Sequence, residues 1–205
     1  MSRPLVHIID GSGYIFRAFY AVRSLSTASG DATNAVYGFS NMLEKLIRED
    51  EPTHLTIVFD AGGPNFRHDI FPEYKSNRDA PPEELTMQVP HIHRVVDAFN
   101  IRRFVIEGVE ADDVIATLTR MTLEEGFDVR LITGDKDLMQ LVNDRVTLWE
   151  PMRSNRFTPE AVAEKMGVPP EQVADALALA GDSSDNIPGV QYKQGEVVEK
   201  SLLDE

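Results

Sequence analysis

Short apolar runs alternate along this chain with longer segments in which apolar residues recur every three or four positions. The short runs predict buried β-strands and the longer segments predict amphipathic helices. Five runs have the strand pattern: Leu5–Ile9, Leu55–Phe59, Phe104–Ile106, Val129–Ile132 and Val146–Trp149. Strands that alternate with helices favour a parallel sheet covered on both faces, so the sequence predicts an α/β fold.

The predicted helices between the strands are Tyr14–Val22, Asn34–Arg48, Glu83–Phe99, Ala111–Glu125 and the short Lys136–Val142. After Glu150, Thr158-Pro159-Glu160 has the residues of a helix start, and a further helix is predicted over Gln172–Ala180. We therefore predict a core over residues 1–157 and a small helical appendage over residues 158–205.

Acidic residues follow the predicted strands with unusual regularity. Asp10 closes LVHIID, Asp60 closes LTIVFD, and the clusters GVEADD and TGDKD follow the third and fourth strands, with a further pair in GDSSD. Because the carboxyl ends of parallel strands share one edge of a sheet, these acids are expected to meet there. The candidate metal ligands are Asp10, Asp60, Glu110, Asp112, Asp113, Asp135, Asp137, Asp182 and Asp185.

So many carboxylates at one edge require cations to offset their mutual repulsion. Each acid alone has a simpler explanation, such as a helix N-cap for Asp10, but the coincidence at successive strand ends favours a metal site. An oxygen-only ligand set suits Mg²⁺ or Mn²⁺ rather than zinc, and we expect two or more ions. Two ions at such a site would activate a water and stabilise the leaving oxygen of a phosphoryl displacement.

The segment Ala61–Pro82, here called the arch segment, has neither a helical nor a strand pattern. Loops of this length in compact domains are usually functional. Its basic residues are interleaved with aromatic ones, which is typical of single-stranded nucleic acid binding, and Tyr74, Arg67 and Phe71 are the candidate contacts. The candidate catalytic cations, which would neutralise charge on a reacting phosphate, are Lys75, Arg78 and, from the first predicted helix, Arg17.

The composition limits the class of protein. The chain has 205 residues and a formal net charge of −14, which by itself argues against a nucleic acid partner unless bound ions cancel the local charge. The absence of cysteine excludes disulfides and thiolate metal sites. No apolar run reaches the roughly 18 residues that cross a bilayer. We expect a cytoplasmic protein without a membrane partner.

Six stretches, in order along the chain, resemble the 5′-nuclease domain at the N-terminus of bacterial DNA polymerase I, a flap endonuclease-like family with a PIN-like fold. The stretches are DGSGYIFRAFYA, TNAVYGFSNML, VFDAGGPNFRHDIFPEYKSNR, GVEADDVIATL, TGDKDLMQLV and GDSSDNIPGV. The resemblance implies a PIN-like parallel sheet with a helical arch over residues 61–82. It also implies a metal-dependent 5′–3′ exonuclease and flap endonuclease that removes 5′ flaps and RNA primers from DNA.

The resemblance also distributes the site residues. It places Asp10, Asp60, Glu110 and Asp112 at one metal site with Asp113 beside it, and Asp135, Asp137 and Asp185 at a second site with Asp182 assisting. Tyr74, Lys75 and Arg78 match the base of the arch, where a frayed 5′ strand would thread and meet the scissile phosphate.

After Val190 the chain departs from the family pattern, by truncation or divergence. The family continues with a Gly-hydrophobic-Gly turn and a helix that grips duplex DNA, whereas QYKQGEVVEKSLLDE follows here. We expect a monomer with retained metal chemistry and weakened duplex binding. Two alternatives remain open at this point: a catalytically weak DNA-binding or accessory module that lost the duplex anchor, and a PIN-type ribonuclease, against which the nine acids and the long arch segment count.

Overall fold

Six strands form a single sheet in the computed structural model, which describes residues 3–150 and 155–190. The strands are β1 (Leu5–Asp10), β2 (His54–Asp60), β3 (Arg102–Ile106), β4 (Asp128–Ile132), β5 (Val146–Glu150) and β6 (Asn155–Phe157). Their order is β3-β2-β1-β4-β5-β6; the first five are parallel, and β6 pairs antiparallel with β5. The predicted α/β fold with a parallel sheet is confirmed.

The described residues contain seven α-helices: α1 (Gly11–Ala21), α2 (Asn34–Asp50), α3 (Phe66–Ile70), α4 (Glu83–Ala98), α5 (Ala111–Glu124), α6 (Pro159–Met166) and α7 (Val173–Ala180). Two short 3-10 helices, Asp137–Leu141 and Pro170–Gln172, complete the structure. None of the helices in this part of the chain combines the length and the apolar character needed to cross a membrane.

Alternating strand residues face two separate hydrophobic clusters, as expected for a sheet buried on both sides. Ile9, Ile57 and Ile132 face the cluster under α1, α2 and α4. Their neighbours in sequence face the other cluster, under α5, the 3-10 helices, α6 and α7. Val162 and Val173 belong to this second cluster, so residues 158–180 share the core of the sheet; the proposed boundary at residue 157 stays a prediction, and residues 191–205 lie outside the described residues.

The sequence pattern missed two elements. The first is β6, an edge strand of three residues, which is too short to show an alternation of its own. The second is α3, a five-residue helix inside the arch segment, where no helical pattern is visible because none of its residues is buried. Instead, Asn65 starts α3 by accepting a hydrogen bond from the backbone N–H of Arg67 at 2.9 Å.

The connections place a topological switch beside β1. The chain runs from β1 through β2 to β3 on one side, then crosses to β4 on the other side of β1. In open parallel sheets, the crevice at the carboxyl ends of the strands next to such a switch is where ligands bind. Asp10 ends β1 at this crevice, and the TGDKD loop follows β4, the neighbour of β1 on the side opposite β2.

Candidate metal centre and active site

Asp10 is held at a sharp junction between β1 and α1. It is the N-cap of α1: its Oδ1 accepts a hydrogen bond from the N–H of Gly13 at 2.9 Å, and its Oδ2 accepts one from Thr133 Oγ1 at 2.9 Å. The turn needs glycine next, since a Cβ on Gly11 would lie 2.4 Å from the ring of Phe59. Close packing of α1 on the sheet therefore fixes where this carboxylate points.

Asp60 joins the end of β2 to two helix starts. Its Oδ1 accepts a hydrogen bond from the N–H of Ala111, the first residue of α5, at 2.8 Å. Its own N–H donates to Ser12 Oγ at 2.9 Å. The first turns of α1 and α5 are thus fixed relative to β2, and Asp112 in α5 is brought next to Asp10 and Asp60.

A series of hydrogen bonds fixes the TGDKD loop. Thr133 Oγ1 accepts from the N–H of Asp135 at 3.0 Å, and Asp135 Oδ1 accepts from the N–H of Asp137 at 2.9 Å. Asp137 Oδ1 is buried and has no hydrogen-bond partner within residues 3–150 and 155–190. A buried carboxylate oxygen without a donor is unfavourable unless a cation binds it.

These carboxylates meet around one cavity of about 240 Å³ at the carboxyl edge of the sheet. Seven of the nine predicted ligands line it: Asp10, Asp60, Asp112, Asp135, Asp137, Asp182 and Asp185. They come from β1, β2, α5, the loop after β4 and the turn after α7. Lys75, Arg78 and Lys136 also line the cavity, and Lys136 Nζ lies 3.7 Å from Asp182 Oδ2.

Burial and mutual repulsion raise the pKa values of several of these acids. Burial is the main cause for Asp112, whose pKa rises to about 8, with further contributions from Asp135, Asp10 and Asp60. Burial followed by repulsion from Asp135 raises the pKa of Asp137 to about 6. The pKa of Asp10 is also raised by burial, against the hydrogen bonds that it accepts. The raised pKa values mean that the negative form of these acids is disfavoured, and a bound cation would offset that cost.

The remaining two predicted ligands lie beside this cavity and have partners in the arch segment. Glu110 Oε1 accepts hydrogen bonds from Lys75 Nζ at 2.6 Å and Asn65 Nδ2 at 2.8 Å. Both oxygens of Asp113 accept from Arg67, at 2.7 and 2.8 Å. Burial would raise the pKa of Glu110, but Lys75 and Tyr74 lower it on balance, and the hydrogen bonds from Arg67 lower the pKa of Asp113.

The base of the arch segment lies directly over the acids. The hydroxyl of Tyr74 is 2.9 Å from Asp185 Oδ2 and 3.0 Å from Glu110 Oε2, so it links the two predicted metal sites. Arg78 forms a short hydrogen bond with Asp185 Oδ1, and Lys75 Nζ lies 3.8 Å from Asp185 Oδ2. Tyr74 is 5% exposed and packs edge-on against His68, so its ring offers little free face to a base.

A second cavity of about 680 Å³ adjoins the first below the arch segment. Asp112, Asp137 and Asp185 line both cavities, so the acids form a shared wall between them. The larger cavity is mostly apolar; Phe71 and Ile70 line its side toward the arch segment. The two cavities thus lie side by side next to residues 70–78, with these carboxylates in the wall between them.

The structure places Arg17 differently from the other candidate cations. Its guanidinium NH2 lies 3.7 Å from Glu150 Oε1, and a Cβ on Gly134 would lie 2.0 Å from the same nitrogen. Arg17 thus packs behind the TGDKD loop and is not among the residues that line either cavity. Its catalytic role, like the DNA-contact roles of Tyr74, Arg67 and Phe71, stays a prediction.

The carboxylate oxygens of the site are ligands of the type that hard divalent cations prefer. Among residues 3–150 and 155–190, no three acidic or histidine side chains already have the arrangement that holds an ion. Lys75, Arg78 and Lys136 lie between them and pair with them. These carboxylates would hold such an ion, because all the donor atoms are oxygens and the buried Asp137 Oδ1 has no hydrogen-bond partner in the described part of the chain.

Sequence reasoning did not single out the residues that orient the carboxylates. Ser12, Asn65 and Thr133 each bond to an acid or to the backbone of one. Ser12 and Thr133 lie within two residues of a predicted ligand, in DGS and TGD, which is a usable signal. Asn65 is 45 residues from Glu110, so only the fold reveals that contact.

The fold and this site define an α/β protein with a carboxylate-rich crevice at a switch between parallel strands. Residues 5–167 match the model of the family described as 5′-3′ exonuclease, N-terminal resolvase-like domain. The chain belongs to this family, as the resemblance in its motifs implied.

Relatives and solved structures agree with this assignment. DNA polymerase I of Bacillus subtilis (strain 168) is 46% identical over an alignment of 214 positions, which covers 98% of this chain and 24% of that protein. The 5′-3′ exonuclease of Aquifex aeolicus (strain VF5) is 42% identical over 186 residues, 91% of this chain and 64% of that protein. The chain thus spans about a quarter of the length of the DNA polymerase I relative.

A crystal structure of the flap endonuclease of bacteriophage T5, a pseudo-enzyme-product complex with DNA and metal ions, has the same fold. Its TM-score is 0.70 at 26% identity, covering 93% of this chain and 72% of that chain. This agreement confirms the PIN-like fold predicted from the sequence, and structures of this fold have been solved with metal ions bound.

Proposed function

We propose that this chain is a metal-dependent 5′-nuclease that hydrolyses phosphodiesters in DNA. The observation that carries the proposal is the single cavity on which seven carboxylates from five chain segments converge, with Lys75 and Arg78 at its rim. Family membership and the T5 complex with DNA and metal ions support it. Its substrates would be DNA with a 5′ flap or an RNA primer.

The acids would hold two or more divalent ions, Mg²⁺ or Mn²⁺. Asp10, Asp60, Glu110 and Asp112 would hold one ion, and Asp135, Asp137 and Asp185 a second, with Asp182 assisting. Such ions, when bound, supply an activated water and stabilise a leaving oxygen. Tyr74 would keep the carboxylates of Glu110 and Asp185 in place, because its hydroxyl lies within hydrogen-bond distance of both.

Lys75 and Arg78 would offset the negative charge that builds up on the scissile phosphate. Both now pair with acids of the site, at Glu110 and Asp185, and their side chains are 24% and 50% exposed. They can therefore turn from the carboxylates to a phosphate bound in the acidic cavity that both line. Preorganised cations at the position of developing charge stabilise the transition state more than the ground state, and so raise the rate.

A 5′-flap DNA with a labelled 5′ end tests the proposal. We expect cleavage near the flap junction with Mg²⁺ or Mn²⁺, none with EDTA, and loss of cleavage in Asp135→Asn and Asp137→Asn. Asp144→Asn is the matched control, because Asp144 is an exposed loop acid away from both cavities. Flap binding without metal-dependent cleavage would instead favour the accessory module. Faster cleavage of single-stranded RNA than of flap DNA would favour the ribonuclease.

A further inference from the structure

Arg67 connects the arch segment to the start of α5. Its guanidinium donates to both oxygens of Asp113, NH1 to Oδ2 at 2.7 Å and NH2 to Oδ1 at 2.8 Å. NH1 also lies 3.9 Å from Glu110 Oε2, and the guanidinium carbon lies 4.6 Å from the ring centroid of Phe66. A bidentate salt bridge of this kind fixes both the position and the plane of the carboxylate.

Asp113 passes this restraint on to the first turn of α5. Its Oδ2 also accepts a hydrogen bond from the backbone N–H of Glu110 at 3.0 Å, which holds the residue before the helix. Asp112, which lines both cavities, lies between Glu110 and Asp113 in the sequence. Arg67 therefore acts at one end of a short chain of contacts whose other end is the turn that carries Glu110 and Asp112.

We propose that Arg67 is a positioning residue of the 5′-nuclease site, which orients Glu110 and Asp112 through Asp113 and does not itself contact DNA. The inference rests on the proposed function and changes two sequence-based assignments. The sequence predicts a DNA contact for Arg67 and a supporting role at a metal site for Asp113. Because every donor to the Asp113 carboxylate in the described part of the chain belongs to Arg67 or Glu110, this carboxylate serves the helix start.

Arg67→Ala should weaken the site without weakening the grip on DNA. Loss of a residue that orients a metal ligand typically costs 10- to 100-fold in metal affinity or activity. We expect Mn²⁺ affinity, measured by titration calorimetry without DNA, to fall about tenfold, and turnover at saturating flap DNA to fall by at least as much. The KM for DNA should change less than about twofold, since no phosphate contact is lost.

A direct phosphate contact gives the opposite result. If Arg67 binds the DNA backbone, Arg67→Ala raises the KM for DNA, leaves turnover and Mn²⁺ affinity unchanged, and reduces the salt dependence of binding by about one ion. That outcome overturns the proposal. Arg120→Ala is the matched control. Arg120 lies on α5, the helix that carries Asp113, pairs with Glu124 four residues later, and is 66% exposed. It should leave all three measurements at wild-type values.

The partner variant separates positioning from a general loss of stability. Asp113→Ala should reproduce the effect of Arg67→Ala, and the double variant should be no worse than either one, because both remove the same link. Asp113→Asn, which keeps one acceptor for Glu110, should retain more Mn²⁺ affinity than Asp113→Ala. Independent, additive losses in the double variant would contradict the link. Arg67→Lys, with one charge but no fork, should lie between wild type and alanine and serves if the alanine variant does not fold.

The two proposals fail in different ways. Suppose that Asp135→Asn loses cleavage while Arg67→Ala keeps wild-type turnover and Mn²⁺ affinity. This pair of results would overturn only the positioning role of Arg67. Absence of metal-dependent cleavage by the wild type would overturn the proposed function, while the Mn²⁺ titrations of Arg67→Ala and Asp113→Ala would still decide whether the pair shapes the ion site.

Discussion

Glu110 and Asp185 are predicted metal ligands that pair with cations of the arch segment. Lys75 reaches Glu110 at 2.6 Å, and Arg78 pairs closely with Asp185. The sequence identified all four residues from their types and motifs. It could not show that they pair with one another, because the pairs are 35 and 107 residues apart.

Replacement of either cation should slow catalysis. We expect Lys75→Ala and Arg78→Ala each to lower turnover on flap DNA by about tenfold or more, because each removes positive charge where the phosphate becomes more negative. Single-turnover cleavage at saturating enzyme measures this step. Lys45→Ala is a suitable control, because Lys45 is 63% exposed and pairs with Glu49 one helical turn away on the same helix. Wild-type turnover in both variants would return Lys75 and Arg78 to the role of surface charges.

The arch segment and the turn after α7 are the two elements whose contact closes the site. The N–H of Lys75 donates to the carbonyl of Asp185 at 2.9 Å, and Arg78 Nε donates to the carbonyl of Ser184 at 3.0 Å. Asn186 donates from its side chain to the carbonyl of Glu73 at 2.8 Å. The sequence predicted a long functional loop; its helix α3 and these tethers depend on segments far apart in the chain.

Asn186 offers a test of this tether. It has a φ of 59°, a conformation that glycine also tolerates, so Asn186→Gly removes the side-chain amide without imposing backbone strain. Loss of hydrogen bonds worth about 1 kcal/mol each should speed hydrogen exchange at the Lys75 amide by about tenfold. The melting temperature should change little, since the tether is exposed. Unchanged exchange at Lys75 would show that the arch segment is held in another way.

At the scale of the whole molecule, a polar cluster crosses the sheet away from the acidic crevice. His7 of β1 is 2% exposed and its Nε2 forms a short hydrogen bond with Asp50 at the end of α2. Arg130 of β4 pairs closely with the same carboxylate, and Arg156 of β6 lies 3.8 Å from it. Burial lowers the pKa of His7, against the opposing effect of Asp50.

This cluster should make stability fall with decreasing pH. Because the pKa of His7 is lower in the folded state, the unfolded chain takes up a proton first as the pH drops below about 6.5. Asp50 acts in the same direction: burial would raise its pKa, but the hydrogen bonds from His7 and Arg130 lower it overall. The acids of the crevice with raised pKa values act in the opposite direction, so the test compares a variant with wild type at each pH.

His7→Leu should lose this pH dependence. We expect the free energy of unfolding of wild type, relative to His7→Leu, to decrease from pH 7.5 to pH 5 by at most about 1.4 kcal/mol per unit. Urea unfolding at several pH values measures the difference. His91→Leu is the control, because His91 lies on the exposed side of α4. Parallel pH profiles for wild type and His7→Leu would show that His7 binds protons equally in both states.

The sequence by itself determined the strands, most of the helices and the acids at the strand ends. These features are local: the period of the apolar residues selects each element, and the end of a parallel strand has only one edge on which to place a carboxylate. The tertiary structure alone decided which acids share a cavity, that Arg67 pairs with Asp113, and that the arch segment is tied to the turn after α7. These outcomes depend on packing between segments up to 113 residues apart, and no local pattern encodes such distances.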